Sequence, residues 1–94
     1  MRVYQSRSFE KKVKKLNDNQ KYALDNEIRQ LLQNPLIGTE KKGDLRGVFV
    51  HKFKLQNQPY LLAYRFIREE SLELIMLGQH ENYYRDLKGY LKSQ

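Results

Sequence analysis

The run Gly78-Gln79-His80-Glu81-Asn82-Tyr83-Tyr84 brings an imidazole, a carboxylate, an amide and two phenols into one short stretch. His80 exchanges a proton near neutral pH, and a positioned general acid or base is worth about 10²–10⁴ in rate. Bonded instead to the turn that follows it, the same imidazole would be purely structural. Tyr83 and Tyr84 offer rings on which a nucleobase stacks and hydroxyls that orient a phosphate. Adjacent residues of a helix point about 100° apart, so the two do not share one pocket and one of them belongs to the core. Lys52 and Lys54 alternate along an upstream run and Arg65 lies in the next. Arg meets phosphate as a bidentate fork and Lys as a point charge, unless these cations merely solvate an exposed face. Together these side chains suit a reaction in which a proton moves while negative charge builds on a phosphate.

Other chemistries are poorly served. The chain has no Cys and two His, with no metal-ligand spacing between His51 and His80. Thiol nucleophiles and disulfides are thereby excluded, and neither a metal site nor a cofactor is expected. Lys and Arg number 18 against 11 Asp and Glu, a formal charge of +7 that points to polyanionic partners. Lys11, Lys12, Lys14 and Lys15 form a second basic cluster. It is a solvated helix face or, through Lys11 and Lys12, a docking surface for RNA or an acidic protein. Arg46 would stand beside the strand cations or pair with Asp44. Apolar runs such as Leu74 to Leu77 fall far short of the roughly 18 residues that span a bilayer, and the N-terminus lacks a signal-peptide core. A cytoplasmic protein with no membrane partner is the expectation.

A small core must hold these side chains, since 94 residues predict one domain, 1–94. Such a chain buries only about 60–65% of its unfolded surface. Arg2 to Ser6 reads as a short strand. Ser8 would cap a helix whose Phe9, Val13 and Leu16 fall at i, i+4 and i+7. Asp18 would cap a second helix with Tyr22, Leu24, Ile28, Leu31 and Leu32 on one side, ended by Asn34-Pro35. Pro35 to Gly47 reads as an exposed loop. Gly47 to Leu55, Pro59 to Ile67 and Leu72 to Gln79 then predict a three-stranded meander, and Glu81 to Leu91 a short C-terminal helix. The order β-α-α-β-β-β gives an α+β sandwich, with the N-terminal strand and two helices packed on an antiparallel sheet. Strand parity places Phe53 and Leu55 under the helices, with His51 structural on the same side. Lys52 and Lys54 then project from an open face where Arg65 joins them.

The residues that carry these features also carry a family resemblance. Gly43-Asp44-Leu45-Arg46-Gly47, Val50-His51-Lys52-Phe53-Lys54-Leu55, Tyr60-Leu61-Leu62-Ala63-Tyr64-Arg65-Phe66 and Leu77-Gly78-Gln79-His80-Glu81-Asn82-Tyr83-Tyr84-Arg85-Asp86-Leu87 resemble, in this order, the RelE/ParE superfamily of bacterial type II toxins. The match extends over nearly the whole chain. It implies a RelE-like fold and a toxin neutralised by a cognate antitoxin, an acidic segment able to cover the sheet patch or the first helix. In the RelE branch the implied activity is cleavage of messenger RNA in the ribosomal A site, and in the ParE branch the target is DNA gyrase. Lys52 and Lys54 match the paired strand lysines of RelE-type nucleases, and His80 matches a position of a catalytic His or Arg. Tyr84 is similar to a C-terminal aromatic that stacks on a base or transfers a proton, with Tyr83 the competing assignment. Leu61 departs from the pattern, standing where RelE-type nucleases often have Arg; Arg65 would replace its charge. The implied reaction is metal-independent attack of a 2′-hydroxyl on the adjacent phosphate. His80 would act as acid or base, Lys52, Lys54 and Arg65 would stabilise charge, and Tyr84 would orient the RNA, with Arg46, Tyr83, Lys11 and Lys12 as further contacts.

Overall fold

The Ser6 hydroxyl decides where the first helix begins. In the computed structural model, which describes residues 2–93, Ser6 Oγ accepts from the Phe9 N–H at 3.0 Å and donates to the Ile75 carbonyl. It joins strand β1 (Arg2–Gln5) to helix α1 (Arg7–Lys14). The cap was expected at Ser8, which instead lies inside the first turn; Ser6 has the extended backbone that an N-cap requires. Helix α2 (Asp18–Gln33) likewise starts one residue earlier than expected. Asn17 Oδ1 accepts from the Gln20 N–H at 2.8 Å while Gln20 Oε1 accepts from the Asn17 N–H at 2.9 Å, a reciprocal capping box. Asp18 becomes the first helical residue, where its charge favours the positive end of the helix dipole.

Phe9, Leu16, Leu24 and Leu31 are buried as the 3.6-residue period requires, with Val13 and Ile28 packed beside them. Tyr22, expected on the same side of α2, is 69% exposed. It lies about 200° around the helix from Leu24.

Four more strands and a third helix follow: β2 (Thr39–Glu40), β3 (Val48–Leu55), β4 (Gln58–Arg68), β5 (Ser71–Gly78) and α3 (Tyr83–Lys92). The sheet order is β1-β5-β4-β3-β2. The meander β3-β4-β5 is antiparallel as expected, but β1 pairs with β5 in parallel, so the sheet is mixed. Gln56 and Asn57, both at positive φ of 50° and 68°, close the β3-β4 hairpin with a two-residue turn. Within the segment read as a loop, Thr39 pairs with Val50 and Glu40 with Phe49. Two residues are too few to produce a period-two signal.

Alternation along the strands builds two cores. Phe53, Leu55, Tyr60, Leu62, Tyr64, Leu72, Leu74 and Leu77 face α1 and α2. A bulge in β5, where Ala63 pairs with Met76 but Tyr64 with Leu74, lets both Leu74 and Leu77 reach that side. Val48, Val50, Leu61, Ala63 and Ile75 face the other way and are covered by Tyr83 and Leu87 of α3. The second face was expected to be open. It is instead a second buried layer, and Lys52 and Lys54 are the exposed side chains of β3 on it.

Candidate active site

Gly47, at φ +84°, makes the entry into β3 that an L side chain would resist. From there alternation puts Val48, Val50, Lys52 and Lys54 on the α3 side. Val48 and Val50 are buried, whereas Lys52 and Lys54 are exposed at the far end of the strand. Lys52 stands opposite Leu61, and Leu61 opposite Gly78, the last residue of β5. One row across the sheet therefore leads from Lys52 to the turn that carries His80.

His80 is exposed, and its carbonyl accepts from the Tyr83 N–H at 3.2 Å as the chain turns into α3. Its ring lies edge-on to Tyr84, with centroids 6.1 Å apart. The two tyrosines divide as helical geometry demands. Tyr83 is 3% exposed within the second core and its hydroxyl donates to the Met76 carbonyl at 2.6 Å. Burial pushes its pKa well above the ordinary phenol value. Gly78 leaves room for this ring, since a Cβ there would stand 3.0 Å from Tyr83 Cδ1. Tyr83, expected as a second RNA contact, is thus enclosed and presents no face to a base. Tyr84 is half-buried and faces a groove of about 360 Å³ lined also by Ile37, Thr39, Lys41 and the β3 residues Val50, His51 and Lys52.

Lys41 is the residue of this groove that sequence reasoning missed. Its N–H donates to the Val48 carbonyl at 2.8 Å, continuing the pairing of β2 with β3 and setting Lys41 on the same side as Lys52. Its Nζ lies 5.1 Å from the centroid of the Tyr84 ring, a cation–π contact. Only its neighbour Lys42 hinted at it in the sequence, as one charged pair in an unassigned loop.

Arg65 does not join the lysines. It pairs with Val48, four positions from Lys52 along the strand and so about 13 Å away. Its Nε donates to Glu73 Oε1 at 2.8 Å across β4 and β5. Arg46 is exposed and borders a smaller groove with Glu40, Lys41, Lys42 and Gly43, next to the site but outside it. Lys12 reaches a cleft that includes Gln79, Glu81 and Asn82, on the flank of the His80 turn, while Lys11 lines only a neighbouring groove that it shares with Lys12, Lys15 and Tyr90. His51 is on the helix side, 12% exposed, stacked on Phe53 with Nε2 3.6 Å from Glu27 Oε1. Leu61 is buried in the second core. Among the described residues no group of three or more His, Asp or Glu is placed to hold a metal ion, and no helix is long and apolar enough to cross a membrane.

What the site offers is Lys41 and Lys52 for phosphate oxygens beside the Tyr84 ring in one groove, with the His80 imidazole, able to exchange a proton, edge-on to that ring. Among solved structures, the chain is similar to the toxin in the Escherichia coli RelBE toxin-antitoxin complex, with 23% identity and a TM-score of 0.67, covering 85% of this chain and 96% of that one. A double-mutant form of E. coli RelE in the free state gives a TM-score of 0.72 at 20% identity, over 99% of this chain and 97% of that one. At these identities the likeness establishes a RelE-like fold. No curated protein matches the chain in sequence. The family model for the ParE-like toxin of type II bacterial toxin-antitoxin systems matches residues 3–88, so the chain belongs to this family of the RelE/ParE superfamily and is a type II toxin.

Proposed function

We propose that this toxin is a ribosome-dependent endonuclease of messenger RNA, acting without a metal. The meeting of Lys41, Lys52 and Tyr84 around one groove of a RelE-like sheet, with His80 edge-on to Tyr84, carries the reading. In the reaction the 2′-hydroxyl of one nucleotide loses its proton and its oxygen bonds to the adjacent phosphorus. The P–O5′ bond breaks, and the leaving oxygen takes up a proton, giving a 2′,3′-cyclic phosphate and a free 5′-hydroxyl. His80 serves one of the two proton transfers. Lys52, Lys41 and Lys54 stabilise the charge that builds on the phosphate oxygens, and each such contact contributes about 3–4 kcal/mol where water is excluded. Tyr84 stacks on or orients a base. Arg65, paired with Glu73 and not among the residues that line the groove, is left out of the catalytic set. Because the ribosome positions the message, the free protein need not cut naked RNA efficiently.

The partners that follow are the ribosome with its message and a cognate antitoxin whose acidic segment complements the +7 charge. The RelBE complex supports the antitoxin. A second reading, inhibition of DNA gyrase without chemistry, is favoured by the ParE-like family model and by Leu61 in place of an arginine. End analysis separates the two. Cut message from a reconstituted translation reaction should carry a cyclic phosphate and a 5′-hydroxyl while gyrase still supercoils DNA. Intact message together with gyrase inhibition that survives His80→Ala would establish the second reading instead.

A further inference from the structure

The shortest strand of the sheet holds Lys41 in the site, and pairing alone specifies its register weakly. β2 has two paired residues, Thr39 with Val50 and Glu40 with Phe49. A slip of one residue would turn Lys41 to the helix side, because side chains alternate faces along a strand. Tyr64 opposes that slip. Its side chain is fully buried among the helix-side core residues, with its ring stacked on Phe49 at 5.5 Å. Its hydroxyl donates to the Pro35 carbonyl at 2.8 Å and accepts from the Gly38 N–H at 3.0 Å, so it grips the chain on both sides of the turn that leads into β2. Burial raises its pKa above the ordinary 10.0, which keeps the donor proton in place.

Gly38 completes the fit. A Cβ on it would stand 2.7 Å from Tyr64 Oη, 3.0 Å from Tyr64 Cε1 and 3.1 Å from the Val50 carbonyl carbon. Both the phenol and the Val50 backbone are held in place, so any side chain at position 38 must push the strand entrance away. We propose that Tyr64 and Gly38 form a register clamp for β2, positioning residues that act on the candidate site through Lys41. The clamp is built on the helix side of the sheet and delivers a cation to the other side. Its link to activity, though not the clamp itself, rests on the nuclease reading.

The test uses the whole protein with Tyr64→Phe and, separately, Gly38→Ala, read by amide hydrogen exchange and by the NMR shifts of the Lys41 side chain. In both variants the Lys41 amide is expected to exchange about tenfold or more faster, as local opening of one short strand allows, while the Leu62 amide in central β4 keeps its protection. The Lys41 methylene protons should also lose the ring-current shift that Tyr84 imposes. Wild-type exchange and shifts at Lys41 in both variants would overturn the proposal. So would equal acceleration at Lys41 and Leu62, since the hydroxyl would then support the fold at large. In message cleavage Tyr64→Phe should lower the rate about tenfold, as small displacements of catalytic groups do, and should add less than about twofold in a Lys41→Ala background. Fully additive losses would also overturn it. Should the wild type cut no message, the nuclease reading fails, while the exchange data still decide the clamp.

Discussion

The Lys41 ammonium sits 5.1 Å from the centre of the Tyr84 ring, linking the segment between α2 and β3 to the first turn of α3. Both side chains line the groove that Lys52 also borders, so the proposed nuclease would have a cation and an aromatic platform side by side. Tyr84→Phe keeps the ring and should leave most of the cleavage rate, whereas Tyr84→Ala should lower it by about 5- to 150-fold, the worth of one stacked base. Rates at limiting toxin on a ribosome-bound message make the comparison. Equal, large losses in both variants would show that the hydroxyl matters and stacking does not.

Ser6 holds two elements with one hydroxyl, capping α1 through Phe9 and satisfying the carbonyl of Ile75 at the β5 bulge. Ser6→Ala removes both bonds from a buried site. The expected loss is about 1–3 kcal/mol, and each kcal/mol lowers Tm by about 4–8 °C in a domain of this size. Calorimetry checks it, and an unchanged Tm would mean that water replaces the hydroxyl.

Leu61 occupies the position where an arginine would be expected of a RelE-type nuclease. It is 3% exposed beneath α3, among Val48, Val50, Ala63 and Leu87. Leu61→Arg should therefore destabilise by about 3–5 kcal/mol, as an unpaired buried charge does. Denaturant unfolding measures this. A variant of wild-type stability that cuts message faster would mean instead that the guanidinium reaches the groove.

Tyr83 and Tyr64 both have pKa values raised above the ordinary 10.0 by burial. Below that value both states keep the proton and stability is insensitive to it. As pH rises past 10.0 the unfolded chain ionises first, so stability falls, and it goes on falling until the folded-state values are reached. Each group contributes a slope of up to about 1.4 kcal/mol per pH unit. Tyr83→Phe should flatten this alkaline limb in urea titrations above pH 10.0; an unaltered limb would place the alkaline sensitivity elsewhere.

The meander and both long helical patterns were legible because each spans several periods of its own repeat. Phe9, Val13 and Leu16 marked one face of α1, and the alternation around Lys52 and Lys54 put both lysines on the side away from the helices, as observed. What escaped was set by contacts distant in sequence. Ser6 displaced Ser8 as the cap because its partner Ile75 is 69 residues away. Parity correctly gave Arg65 the same face as the lysines, but only the register shows it opposite Val48 rather than near Lys52. Lys41 was hidden because a two-residue strand leaves no pattern, and α3 was recognised without the face it covers. The Tyr83 and Tyr84 alternative closed once α3 was seated, since a helix directs only one of two neighbours inward.

Primer extension on a defined message in a reconstituted translation reaction tests the site most directly, comparing wild type with His80→Ala, Lys41→Ala and Lys52→Ala/Lys54→Ala. The wild type is expected to cut at codon positions only when ribosomes are present. Cleavage should fall by about 10²–10³ in the double-lysine variant and by about 10²–10⁴ in His80→Ala, with folding unchanged by circular dichroism. An uncut message with the wild-type toxin, or cuts that persist at full rate in all three variants, would contradict a nuclease centred on Lys41, Lys52 and His80.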